Sequence, residues 1–201
     1  MYKVIGHPQS RTLRVMWTLE ELGAAYTLDP ARPGSDAIRE INPSGKIPAL
    51  IDDGEVLYDS VAICTYLADK HGKLTFAAGT INRARQDSFT QFCVDEMEGA
   101  LWTTAKNTFI HPEDVRVPTV KEVCRIEFAK ALTTLEARLG DGPYVMGQMF
   151  TIADIFIGHS FGWAQVAKFD IPESGPLADY LTRLRERSGF QAAMAKLKEV
   201  S

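Results

Sequence analysis

The chain has 201 residues, 45% of them hydrophobic and 24% charged, and a formal net charge of −4. This is an ordinary globular composition, long enough for one large domain or two small ones. The acidic balance, with no Lys/Arg run, gives no general attraction to nucleic acid or to anionic membranes, and no stretch reaches the ~18 apolar residues of a membrane span. Met1-Tyr2-Lys3-Val4-Ile5-Gly6 enters a strand at once, without an apolar leader or a cleavage-site pattern. Cys64, Cys93 and Cys124 are odd in number, widely spaced and set in helix-like segments. That pattern suits buried thiols in a reduced, cytoplasmic chain. There is no Cys-x-x-Cys and no His/Cys spacing suited to zinc, so no metal is expected.

Tyr2 to Gly6 reads as a short strand, with Tyr2 as a packing residue. Gly6-His7-Pro8-Gln9-Ser10 is a loop. A helix is predicted from about Arg11 to Leu22, stopped by Gly23. Arg11, Arg14, Thr18 and Glu21 recur at helical spacing as one polar stripe, and apolar residues cover most of the rest. A helix so apolar is buried on more than one side. A second strand is predicted over Ala24–Leu28 and a short polar helix over Ser35–Ile41, after a Pro/Gly loop.

The stretch Asn42-Pro43-Ser44-Gly45-Lys46-Ile47-Pro48-Ala49-Leu50 joins turn chemistry to a strand opened by proline. Proline is tolerated at the first residue of a strand. Taken alone, the pair predicts an ordinary trans bond. Asp53-Gly54 marks a hairpin between Ala49–Ile51 and Glu55–Leu57. Asp59-Ser60 supplies two capping residue types for a helix that runs to His71-Gly72. The order β-α-β-α-β-β-α in this first part fits a small mixed sheet covered by helices, and it resembles the thioredoxin fold.

After Lys73 no convincing strand remains. Ile81–Lys106 reads as one long helix or two short ones, and Thr119–Leu139 as a clear helix ended by Gly140-Asp141-Gly142-Pro143. Thr151 and Asp154 form a capping box, with Phe150 and Ile155 as its hydrophobic staple. It opens an apolar helix, Ile152 to about Lys168. Two short helices follow, around Leu177–Ser188 and Phe190–Glu199. The expected organisation is α/β plus all-α: a domain over 1–73, a linker over 74–79 and an all-helical domain over 80–201.

Four pieces now combine: the run Ser10–Gly23, the run Asn42–Leu50, Asp59-Ser60-Val61-Ala62-Ile63, and the Thr151–Asp154 box. In this order they resemble the glutathione transferase family, specifically bacterial-type, serine-dependent members with a theta-like catalytic loop. The resemblance covers essentially the whole chain. It implies a thioredoxin-like N-terminal domain, an all-helical C-terminal domain, glutathione as co-substrate and a cytoplasmic homodimer acting in detoxification. No nucleic acid or membrane partner is implied.

Glutathione must ionise to attack, because the thiolate is the nucleophile. By resemblance Ser10 takes the place of the catalytic serine, four residues before the helix arginine matched by Arg14, and the Arg11 guanidinium is placed to assist. The resemblance also implies a cis Ile47–Pro48 bond, with the Ile47 backbone pairing the cysteinyl unit. Asp59-Ser60 matches the pair that holds the γ-glutamyl end, and Lys46 is placed to reach the glycyl carboxylate. The electrophile pocket is expected between the Ser10 loop and the helices after residue 80, lined by Trp102, Lys106, Phe109 and His111. The implied reaction is conjugation of the thiolate to a small, apolar electrophile. A glutathione-dependent peroxidase, disulfide reductase or isomerase on the same site stays open, as does a non-catalytic binding module.

Overall fold

The computed structural model describes residues 1–200. By contact it divides into two compact units. One holds Met1–Thr80 and the chain from Leu184 onward; the other holds Ile81–Arg183.

The first unit carries β1 (Tyr2–Ile5), α1 (Thr12–Leu22), β2 (Tyr26–Asp29), α2 (Asp36–Ile41), β3 (Ala49–Asp52), β4 (Glu55–Tyr58) and α3 (Ser60–His71). The four strands lie in the order β2-β1-β3-β4. β1 and β2 are parallel, with Tyr2 opposite Tyr26, as a β-α-β crossover requires. β3 is antiparallel to both neighbours, and its Ala49 stands opposite Ile5 on β1 and Tyr58 on β4. The Asp53-Gly54 turn makes the expected β3–β4 hairpin. Val4, Ile5, Ala49 and Leu50 are buried in the sheet, and Val15, Met16, Trp17 and Leu19 are buried on α1.

The polar stripe of α1 is not a solvated face. Arg14 and Thr18 are both buried. The Thr18 hydroxyl donates to the Arg14 carbonyl oxygen at 2.8 Å and lies 3.3 Å from Cys64 Sγ on α3. Burial pushes the Cys64 thiol up to about 12, so it stays protonated and inert. Arg14 and Thr18 therefore form a buried polar seam between α1 and α3.

The chain's last helix, α9 (Ser188–Val200), packs on α1. The helical domain expected over 80–201 therefore differs in packing at its C-terminal end, where the chain from Leu184 onward joins the first unit. Trp17 meets Phe190 edge-on at 4.8 Å. The Glu21 carboxylate accepts from Trp17 Nε1 at 3.0 Å and from Arg187 Nε and Nη2 at 2.8 and 2.6 Å. A Cβ on Gly189 would lie 2.6 Å from the Glu21 carboxyl carbon, so a side chain at residue 189 would displace the Glu21 carboxylate.

The second unit holds α4 (Ile81–Phe92), α5 (Glu98–Ala105), α6 (Val120–Leu139), α7 (Ile152–Val166) and most of α8 (Pro176–Glu186). Between α4 and α5 the helix does not break. A π turn over Cys93–Met97 joins them, and a second over Lys106–Ile110 extends α5. With no proline from 81 to 110, the chain absorbs the irregularity as wide turns rather than as a loop. Thr151 caps α7 with the reciprocal box to Asp154. Asp154 is fully buried and takes two further donors, Val145 N–H at 3.1 Å and Tyr180 O–H at 2.8 Å. No described helix is long and apolar enough to cross a membrane.

Candidate active site

The loop between β1 and α1 carries Ser10. Its hydroxyl donates to the His7 carbonyl oxygen at 2.6 Å, and the Thr12 backbone N–H donates to Ser10 Oγ at 3.1 Å. The Thr12 hydroxyl lies 3.0 Å from Ser10 Oγ. Ser10 thus stands one residue before the N-cap of α1, half-buried, with its oxygen already joined to the helix start. Arg11 is the N-cap residue itself, half-buried, and caps with its backbone rather than its side chain. The N-terminus of α1 adds partial positive charge at this point.

On the far side of β1 runs Asn42–Pro48. Asn42 organises it: Oδ1 accepts from Ser44 N–H at 3.1 Å and from the Ser44 hydroxyl at 2.9 Å, and Nδ2 donates to the Lys46 carbonyl at 2.9 Å. The Ile47–Pro48 peptide bond is cis. Pro48 is buried, and Ile47 packs against the cluster of Ile5, Ile38 and Ala49. The Lys46 side chain is exposed, and among the described residues its ammonium has no ion-pair partner.

Asp59 and Ser60 open α3. One carboxylate oxygen of Asp59 accepts both the Val61 and Ala62 amides, at 2.8 and 3.2 Å. Ser60 is buried, and Arg14 Nη1 donates to its hydroxyl at 3.3 Å. A hydroxyl that accepts from a guanidinium still has its proton to donate. The α3 N-terminus together with Ser60 therefore suits a carboxylate. Among the described residues no His/Cys/Asp/Glu cluster forms a metal site.

In the second unit the four residues expected to meet the electrophile lie on one stretch, from α5 through the second π turn. Trp102 is half-buried and edge-on to Trp163 at 6.3 Å. Lys106 and His111 are half-buried, joined by the His111 N–H donating to the Lys106 carbonyl at 2.9 Å. Phe109 is 69% exposed, which is unusual for a phenylalanine whose role is packing.

Two domain models of one family match the sequence: the glutathione S-transferase N-terminal domain over residues 6–75, and the glutathione S-transferase C-terminal domain over residues 93–186. The chain belongs to the glutathione S-transferase family. It is 28% identical over 202 residues to glutathione S-transferase GstA of Escherichia coli O157:H7, covering 96% of this chain and 97% of that protein. Its fold superposes on a glutathione transferase from Methylococcus capsulatus with a TM-score of 0.86, at 27% identity and full coverage of both chains. A theta class glutathione S-transferase from Xanthomonas axonopodis pv. citri, solved with glutathione bound, matches with a TM-score of 0.76 and 27% identity over 96% of each chain. A thioredoxin-like sheet domain followed by helices is the arrangement of these enzymes, and this chain is an enzyme of the same family.

Ser10, Arg11, Lys46, Ile47, Pro48, Asp59 and Ser60 all fall in the part matched by the glutathione S-transferase N-terminal domain, and Trp102, Lys106, Phe109 and His111 in the part matched by the C-terminal domain. Two contacts around these residues escape a reading of the sequence, those of Thr12 with Ser10 and of Arg14 with Ser60. Thr12 looks like an ordinary first-turn residue. Arg14 is read as the matched helix arginine on a polar stripe, without its contact to Ser60, although a charge set among Leu13, Val15, Met16 and Trp17 is the available signal that it is buried and partnered.

Proposed function

We propose that this glutathione S-transferase binds glutathione on its first unit and conjugates the thiolate to a small, apolar electrophile. In this reading it is a serine-dependent, theta-like enzyme of the bacterial type, a cytoplasmic homodimer with a role in detoxification. The observation that carries the reading is the Ser10 hydroxyl. It stands half-buried at the start of α1, and its single proton rests on a backbone carbonyl oxygen. A thiolate is a charged acceptor and competes well for that proton.

The roles follow from the groups present. The Ile47 backbone pairs with the cysteinyl unit and sets the sulfur near Ser10. The thiol proton passes to solvent water, the Ser10 O–H donates to the thiolate sulfur, and the α1 N-terminus adds its field. Arg11 adds positive charge beside it. The Ser60 hydroxyl and amide take the γ-glutamyl carboxylate. Asp59 caps α3 through one carboxylate oxygen and has the other for the γ-glutamyl ammonium. Lys46 meets the glycyl carboxylate as a point charge. Trp102, Lys106, Phe109 and His111 contact the electrophile. The sulfur then forms its bond to the electrophilic carbon as the leaving group departs.

The test is conjugation of glutathione to an aryl halide. Ser10→Ala is expected to keep most of its glutathione affinity and to lose turnover by roughly 10- to 100-fold, the scale of one lost donor to a developing anion. Unchanged turnover would remove Ser10 from the mechanism. Rates on hydroperoxides and mixed disulfides in the same assay series identify the main reaction.

A further inference from the structure

The His7 carbonyl, the Thr12 N–H and the Thr12 hydroxyl all meet Ser10 Oγ, and the direction of each of these hydrogen bonds follows from which groups can donate. A hydroxyl has one proton to give and two lone pairs to receive. Ser10 gives its proton to the His7 carbonyl at 2.6 Å. The 3.0 Å contact between the Ser10 and Thr12 hydroxyls must then run the other way, from Thr12 O–H to Ser10 Oγ. Thr12 is fully buried, and Ser10 Oγ is the hydrogen-bond partner of its hydroxyl. A buried hydroxyl without a partner is costly, so this proton has nowhere else to go.

The Thr12 hydroxyl is also held in place from behind. Gly6 has φ 143°, and a Cβ there would stand 2.3 Å from Thr12 Oγ1 and 3.0 Å from the Ile47 Cβ. The bare backbone of Gly6 is thus wedged between Thr12 and Ile47. Any side chain at residue 6 would push the threonine off the serine, or the serine loop off the residue before Pro48.

We propose that Thr12 is a positioning residue for Ser10. It donates to Ser10 Oγ twice, through its backbone N–H at 3.1 Å and through its hydroxyl. With two donors on its oxygen, Ser10 is turned into a donor, and its proton has two destinations: the His7 carbonyl when the site is empty, and the sulfur when glutathione is bound. Donors on the serine oxygen also polarise its O–H, since linked hydrogen bonds strengthen one another. This inference rests on the reading of Ser10 as the group that stabilises the thiolate.

The experiment is a titration of the thiol of bound glutathione, followed by the ultraviolet absorbance of the thiolate, in the full-length enzyme and its variants. Thr12→Val keeps the shape and removes the hydroxyl. It is expected to raise the bound thiol's pKa by about 0.5 to 1 and to lower kcat/KM near neutrality by about 3- to 10-fold, with the loss vanishing at high pH and glutathione Kd little changed. Thr12→Ser restores the wild-type titration. In a Ser10→Ala background, where the pKa is already raised, Thr12→Val adds nothing. Thr12→Ala carries the same expectation if the valine variant fails to fold. A wild-type titration for Thr12→Val, beside a raised one for Ser10→Ala, would overturn the role of Thr12 alone. A wild-type titration for Ser10→Ala would overturn the serine reading and this inference with it. An equal shift from Thr12→Val in both backgrounds, or no rescue by Thr12→Ser, would make the effect one of packing and would also overturn the inference.

Discussion

Lys46 and Arg14 are both cations of the first unit, and they differ in what surrounds them. Lys46 is exposed and unpaired among the described residues, whereas Arg14 is buried and donates to Ser60. An exposed point charge contributes modestly and is screened by salt. Lys46→Ala is therefore expected to raise the KM for glutathione by about 3- to 5-fold at low salt and less at high salt, with kcat unchanged. Steady-state kinetics at two ionic strengths check this, and a fall in kcat alone would argue against a role in binding. Ser10, Lys46 and Asp59-Ser60 could be singled out from the sequence because a motif frames each of them. The contacts of Arg14 with Ser60 and of Thr12 with Ser10 were not legible, because they depend on packing. A helical period places Arg14 on a polar stripe, but only packing reveals that Arg14 and Thr18 are covered by α3.

At the level of elements, the turns and caps were the legible part. Asp53-Gly54 predicts its hairpin and Thr151–Asp154 its helix start, because each rests on chemistry local to a few residues. The π turn over Cys93–Met97 was not legible, since no residue type marks it. Nor was the full setting of Asp154. Beyond the Thr151 amide and hydroxyl, it receives Val145 N–H and Tyr180 O–H, the latter 26 residues away. Burial still outweighs these donors and pushes the carboxyl up from 3.8 to about 6. The unfolded chain releases this proton near 3.8 and the folded chain only near 6, so the folded state binds more protons in between. The group's contribution to stability is therefore present in full below the ordinary carboxylate value and is lost as pH rises through the folded value. A carbon NMR titration of the Asp154 carboxyl is expected to show a midpoint at about 6. A midpoint in the ordinary carboxylate range would contradict this account of the cap.

Over the whole molecule, the division into a sheet-bearing part and a helical part was readable from where strands stop. The return of the C-terminal helix to the first unit was not. Glu21 and Arg187 are 166 residues apart in sequence, and each alone looks like a solvated charge. In the fold the Glu21 side chain is 6% exposed, and it depends on Arg187 and Trp17 for its hydrogen bonds. Removing one partner of such a pair leaves a buried charge uncompensated. Arg187→Ala is expected to lower the unfolding free energy by about 1–3 kcal/mol, and Arg187→Lys to recover only part of it, because an ammonium cannot reproduce the two-pronged contact. Urea denaturation curves check this, and an unchanged midpoint for Arg187→Ala would mean that the pair contributes nothing. α1, which α9 braces, begins at the Ser10 loop, so the central claim concerns the same unit. The measurement that tests it most directly is a crystal structure of the enzyme soaked with glutathione. The sulfur is expected within hydrogen-bond distance of Ser10 Oγ, with the cysteinyl backbone on Ile47 and the γ-glutamyl carboxylate on Ser60. Glutathione bound with its sulfur away from Ser10, or bound elsewhere on the chain, would contradict it.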